Sequence, residues 1–528
     1  MGSFPTLYGR IGFLFLSLVL CSCNQGGSLT KVRGNQQDHL SACPDAIGDP
    51  TLYGQPATAV SHGTVKLPDG TSLSYTTTSG YLPIYAPGAQ REQVSACLFF
   101  FAYTRDDHKG DASWPISFLS NGGPGSSSDW IHLGGLGPKV IDLGQEGIST
   151  EPTTLIDNGS TLLADSDLVF VDPINTGYSR PAKGVDPSSY DGLNQEADAI
   201  GDFIAEYLQG FGRLASPKYI VGESYGGMRL PVLGRYLDEK LAIKVNGLIF
   251  ISPWLDAIGD DTSDMADELP YVTLLPEYAA SAWYQKKLSP ELEAKSVAEV
   301  YSEADAFANG DYLAALTEGD TLSQGAREQI ASALAGYTGL SVQAVESQNL
   351  RISTDAFRVG LLKDRGLTLS NYDGRMAAAI SNPDTQDPTD ALNPIFAGIE
   401  ASYFPRALGI QTDLPYQGNN WTSWPGAPTD QIQGGYLQVL DDLTTFMRNN
   451  PTVKVSMSNG YYDFTCPPGE VHYLVNQLPI DVESRITLAI YPGGHPVYFG
   501  SVARAAFVGA IAPMFSEAAS PVQVVSKN

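Results

Sequence analysis

Ser224 stands in the run Val221-Gly222-Glu223-Ser224-Tyr225-Gly226-Gly227, a G-x-S-x-G pattern and the stretch of this chain best equipped for chemistry. It follows the β-branched and aromatic run Lys218-Tyr219-Ile220 and precedes a helix-compatible segment, Met228 to Leu241. A strand–turn–helix context lets a serine stand exposed at a strand end as a nucleophile. Such a serine needs a base to take its proton and an acid to orient that base. In chains with this turn the order is serine, acid, histidine. Of six histidines, His39, His62, His108 and His132 precede Ser224 and fall out. His472 lies in Gly469-Glu470-Val471-His472-Tyr473-Leu474-Val475, whose apolar spacing suits a helix face. His495 lies in Tyr491-Pro492-Gly493-Gly494-His495-Pro496, a loop after the apolar run Ile486 to Ile490, and is the expected base. Asp463 follows the alternating run Val453 to Ser458 and is the expected acid.

Acyl transfer also needs donors for a developing oxyanion. The amide of the residue after the nucleophile, Tyr225, supplies one, and an upstream Gly-rich loop supplies the other. Ser120-Asn121-Gly122-Gly123-Pro124-Gly125-Ser126, after the apolar run Pro115 to Leu119, is the candidate loop. Its glycines let backbone donors come close to a ligand.

Taken together, these segments resemble the serine carboxypeptidase family. The matching stretches begin at Asn121-Gly122-Gly123-Pro124-Gly125, Val171-Asp172-Pro173-Ile174-Asn175, Gly222-Glu223-Ser224-Tyr225-Gly226 and Asn459-Gly460-Tyr461-Tyr462-Asp463, and Gly493-Gly494-His495 closes the series. The resemblance runs from roughly Thr64 to Met514. It implies removal of single residues from peptide C-termini by acyl-enzyme chemistry without metal or cofactor. It also implies that Asn121, Gly122 and Glu223 bind the substrate carboxylate, and that Gly123 shares the oxyanion hole with Tyr225. A carboxylate ligand disfavours a second negative charge nearby, so Glu223 is expected to hold a proton. Cys466 is expected near the substrate pocket as a thiol. The chain departs from the pattern in three places. Gly135 stands where a second Glu is common, Leu119 replaces a tryptophan, and Ser126 replaces a bridging cysteine. The carboxylate-binding network is therefore incomplete on this reading, and an esterase or acyltransferase on the same triad is the alternative.

Composition sets the outer bounds. A chain of 528 residues that is 43% apolar can bury a sizeable core, and a net charge of −27 argues against a nucleic-acid surface. Near the N-terminus, Arg10 precedes the apolar run Ile11 to Leu20, too short to span a bilayer and suited to a signal-peptide core. Leu20-Cys21-Ser22-Cys23 resembles a bacterial lipoprotein box, which implies a lipid on Cys23 and anchoring to a membrane in the periplasm or cell envelope. Release of the exported chain after cleavage further on is the alternative. Either route leads out of the cytosol, where disulfides form, and Cys43 and Cys97 are candidates to pair.

The elements needed to position these residues are legible as well. Residues 1–23 read as leader and 24–50 as a polar, Gly-rich tether. Alternation around Leu73 to Tyr81 reads as antiparallel strands. Short apolar runs at Ala96–Tyr103, Asp167–Val171, Lys218–Val221 and Val245–Ile251, several separated by helix-like segments, predict a mostly parallel sheet flanked by helices. This is the α/β-hydrolase fold, with residues 51–255 and 431–528 as its core. Residues 256–430, rich in Ala, Glu and Tyr, read as a helical lid insertion, with one helix from Glu291 to Tyr301. The aromatic stretch Tyr416 to Trp424 lines the pocket or packs on itself, two readings of equal standing.

Overall fold

A computed structural model describes residues 58–85, 94–151, 153–257, 267–379, 386–410, 412, 414–420, 432–433 and 436–516. Cys23, Cys43, the leader, the tether and residues 421–424 lie outside the described residues. Nine strands run through the main sheet: β1 (Thr58–Lys66), β2 (Ser72–Tyr85), β3 (Val94–Arg105), β4 (Ile116–Ser120), β5 (Asp167–Val171), β6 (Lys218–Glu223), β7 (Gly247–Ile251), β8 (Lys454–Gly460) and β9 (Ile486–Tyr491). Their spatial order is β1-β2-β3-β5-β4-β6-β7-β8-β9, and a tenth, two-residue strand at Arg180–Pro181 pairs with β3. β1, β2 and β3 form an antiparallel meander, and β3 meets β5 antiparallel. From β5 to β9 every pairing is parallel. The expected α/β-hydrolase sheet is present.

Parallel strands need crossovers, and helices supply them. The main ones are α1 (Leu193–Gly210), α2 (Gly226–Glu239), α3 (Leu269–Tyr284), α4 (Val297–Phe307), α5 (Gln324–Thr338), α6 (Asn393–Ala407), α7 (Leu440–Asn449), α8 (Pro468–Asn476) and α9 (Ser501–Ile511). Alternation along the strands feeds two cores, one on each face of the sheet. Ile220, Leu248 and Phe250 join Phe203 of α1, Leu233 of α2 and Phe446 of α7 on one face. Tyr219, Val221, Ile249 and Ile251 join Phe507 and Ile511 of α9 on the other. A third apolar cluster lies among α3, α4, α5 and neighbouring helices, and Phe464 extends into it from beyond β8. No helix among the described residues is long and apolar enough to cross a membrane.

One helix differs from expectation. The single helix read over Glu291 to Tyr301 is two, Pro290–Glu293 and α4. Ser296 accepts from the Glu299 amide while the Glu299 carboxylate accepts from Ser296 N–H, a capping box that starts a new helix. Cys97 is disulfide-bonded. Cys466 is a buried thiol.

A buried ion pair ties the site's supports together. Arg229 of α2 donates to Glu196 of α1 at 2.8 Å, to Ser120 Oγ at 2.8 Å and to the Asn121 carbonyl at 3.0 Å. Both charged side chains are almost wholly buried. Removing one partner of such a pair leaves an uncompensated charge in the interior, at a cost of about 3–5 kcal/mol. Arg229→Leu is expected to lower stability by about that amount, read as a lower guanidinium midpoint; an unchanged midpoint would contradict the role given to the pair.

Candidate active site

β6 ends at Glu223 and α2 begins at Gly226, so Ser224 and Tyr225 make the whole connection. Ser224 has φ +58°, left-handed backbone that a non-glycine residue adopts at a cost of about 1–3 kcal/mol. Neighbouring backbone holds it there. Its N–H donates to the Ile251 carbonyl at 3.0 Å, and its carbonyl accepts from Gly227 N–H at 2.7 Å and Trp254 N–H at 3.0 Å. The turn thus rests on β7 and the segment after it.

The loop after β4 presses against this turn. A Cβ on Gly122 would stand 2.5 Å from both the Glu223 carbonyl oxygen and the Tyr225 amide nitrogen, so only glycine permits the approach. Gly123 and Ser224 line both of two adjoining cavities. The first, about 340 Å³, is also lined by Asn121, Gly122, Glu223, Trp130 and His495. The second, about 370 Å³, is lined by Leu274, Phe464, Cys466 and Glu470 among others. Asn419 lines the first cavity and accepts from Ser126 Oγ at 2.9 Å, where a disulfide was not expected. Tyr416 instead packs on Tyr178 and Phe404 and donates to Asp172.

His495 follows β9 and is fixed from both sides. Its N–H donates to the Tyr372 carbonyl at 2.6 Å, and its carbonyl accepts from Ser252 Oγ at 2.7 Å. Its ring Nδ1 lies 2.9 Å from Asp463 Oδ2. A carboxylate there holds the proton on Nδ1 and leaves Nε2 as the acceptor of the neutral ring. Asp463 is wholly buried, and its other oxygen accepts from the Thr465 and Cys466 amides at 2.8 and 3.0 Å. Burial opposes a charged imidazole, but Asp463, by charge and hydrogen bond, and then Glu223 outweigh it. The His495 pKa is therefore raised above its ordinary value. His132 and His472 are elsewhere: the first is a core residue bonded to Tyr103 at 2.7 Å, the second lies on α8.

Glu223 is buried, and burial, outweighing its hydrogen bonds and the imidazole of His495, pushes its pKa up to about 7. Its Oε2 accepts from Asn121 Nδ2 and, at 2.6 Å, from the Tyr498 hydroxyl. Its Oε1 has no hydrogen-bond partner among the described residues. Asn121 is oriented in turn by Ile131 N–H, which donates to its Oδ1 at 3.0 Å. The structure thus brings Asn121, Gly122, Gly123, Glu223, Ser224, Tyr225, Asp463, Cys466 and His495 to one locality. Sequence reasoning missed Tyr498, although it lies three residues after the expected base. It also missed Arg229 beneath the loop.

The family model described as serine carboxypeptidase matches residues 68–507. Among curated proteins, the pheromone-processing carboxypeptidase KEX1 of Saccharomyces cerevisiae is 25% identical over 194 residues, covering 34% of this chain and 26% of the yeast protein. The protein of the same name from Yarrowia lipolytica is 31% identical over 140 residues, covering 26% of this chain and 21% of the relative. These alignments span about a quarter of each relative. The crystal structure of the yeast KEX1 prohormone-processing carboxypeptidase superposes with a TM-score of 0.53 at 16% identity, covering 83% of this chain and 91% of that one, a likeness of fold. With a matched segment running through both the sheet and the site, the chain belongs to the serine carboxypeptidase family.

Proposed function

We propose that this protein removes single residues from peptide C-termini through an acyl-enzyme on Ser224. The observation that carries this reading is the Glu223 carboxyl. It is buried, unpaired at Oε1 among the described residues, and next in sequence to Ser224 on the wall of the same cavity. A protonated carboxyl in that position donates to a substrate carboxylate, with Asn121 and Gly122 beside it. A substrate without a terminal carboxylate makes no use of it.

Ser224 Oγ attacks the last peptide carbonyl while His495 Nε2 takes its proton. The amides of Gly123 and Tyr225 hold the developing oxyanion. His495 returns the proton to the leaving amine, and the terminal residue departs from the cavity lined by Asn121 and Glu223. Water then enters, gives a proton to His495 and attacks the ester carbonyl; as the bond to Ser224 Oγ breaks, His495 returns the proton to that oxygen and the shortened peptide leaves. Asp463 keeps the imidazole in the required tautomer and stabilises it when charged. The cavity lined by Phe464 and Cys466 takes the side chain on the acyl side. Residues 256–430 act as a lid that shapes both cavities and limits water.

Export rests on the apolar leader, and a membrane anchor rests on the lipobox-like run ending at Cys23. Radiolabelled fatty acid is expected on the full-length protein and absent from Cys23→Ala; label that persists in the variant rules the anchor out.

The carboxyl chemistry sets the pH behaviour. Below about 7 Glu223 holds its proton and binds the substrate carboxylate; above it, two negative charges face each other. kcat/KM on a free-acid peptide is therefore expected to fall as pH rises through about 7, while the matched C-terminal amide is a poor substrate throughout. Glu223→Gln should remove that fall. An amide cleaved as well as the acid, or an unchanged alkaline limb in the variant, would contradict the reading and favour an esterase or acyltransferase.

A further inference from the structure

Tyr498 is wholly buried and lies outside the set of residues lining the catalytic cavity, yet its hydroxyl reaches the Glu223 carboxyl at 2.6 Å. The same phenolic oxygen accepts from Asn121 Nδ2 at 3.3 Å. Two donors therefore converge on Glu223 Oε2, the phenol and the Asn121 amide, and none reaches Oε1 among the described residues. A carboxyl held this way carries its own proton on Oε1, the oxygen left for a ligand. Room for the phenol comes from a missing side chain. A Cβ on Gly135 would stand 2.3 Å from Tyr498 Cδ2 and 2.6 Å from its Cγ. The Tyr498 backbone is anchored by Arg504, which donates to its carbonyl at 2.9 Å.

We infer that Tyr498 is a positioning residue for carboxylate recognition: its hydroxyl fixes which Glu223 oxygen faces the substrate, and the bare Gly135 makes room for it. The inference rests on the carboxylate-binding role proposed for Glu223. The phenol suits the task because it remains a donor throughout the working pH range; burial, and then the Glu223 charge, push its own pKa well above the ordinary value. The charged or titratable groups facing Glu223 are His495, Asp463 and Tyr498, and Asp129 adds its field at Tyr498. The phenol therefore stays neutral beside Glu223 and His495, the two groups here whose charge changes.

Tyr498→Phe keeps the ring and removes the donor. With the free-acid peptide, KM is expected to rise about tenfold with kcat little changed, the upper scale of losing one neutral hydrogen bond that orients Glu223. The alkaline limb of kcat/KM should move to higher pH, because the phenol stabilises the ionised form of Glu223. Turnover of the matched amide, and the rate at which a fluorophosphonate labels Ser224, should not change. Gly135→Ala, which displaces the ring, should reproduce the pattern. An unchanged KM and pH limb in Tyr498→Phe would overturn the inference, as would a parallel loss of amide turnover and labelling, the mark of a merely structural role. A wild-type enzyme with no preference for the free acid would instead overturn the role of Glu223 itself.

Discussion

A buried carboxyl beside a serine in left-handed backbone is the constraint around which this site is built. Glu223 ends β6 and is buried at the wall of the cavity, and the backbone after it must turn at once. The turn holds only because β7, the loop after it and the Gly122 loop press on it from separate directions. The ion pair of Glu196 and Arg229 then fixes the Gly122 loop from below. The contacts of the Gly122 loop join residues about a hundred positions apart, which is why the wide parallel sheet matters to the chemistry.

The two carboxyl groups of the site have different surroundings. Asp463 accepts three hydrogen bonds from backbone and imidazole donors. Glu223 has both of its donors on one oxygen and none on the other among the described residues, and burial dominates its behaviour. Environment separates the roles of chemically similar acids in this way. One is suited to supporting a positive imidazole, the other to holding a proton for a ligand. His495 sits between them and is influenced by both.

What was legible in the sequence was mostly local. The strands around Ser224, the turn itself and the loop glycines carry their signals within a few residues, because backbone geometry and side-chain alternation act at that range. The helix break at Ser296 was equally local: Ser296 and Glu299 spell a capping box that the apolar spacing of Glu291 to Tyr301 masked. Gly135 was noticed as a gap in a carboxylate-binding network, yet what fills the gap was invisible. Tyr498 lies 363 positions further on, and nothing in local pattern says that its ring lies over Gly135. The Glu196–Arg229 pair escaped for the same reason, being a contact between two helices set by the packing of the sheet.

The most direct test is mass spectrometry of a mixed peptide library incubated with the wild-type protein and with Ser224→Ala, at acidic and at neutral pH. Ladders that shorten one residue at a time from the C-terminus are expected with the wild-type protein, and no shortening with the variant. Internal cleavage, or intact peptides alongside a Ser224 that still reacts with a fluorophosphonate, would contradict the carboxypeptidase reading.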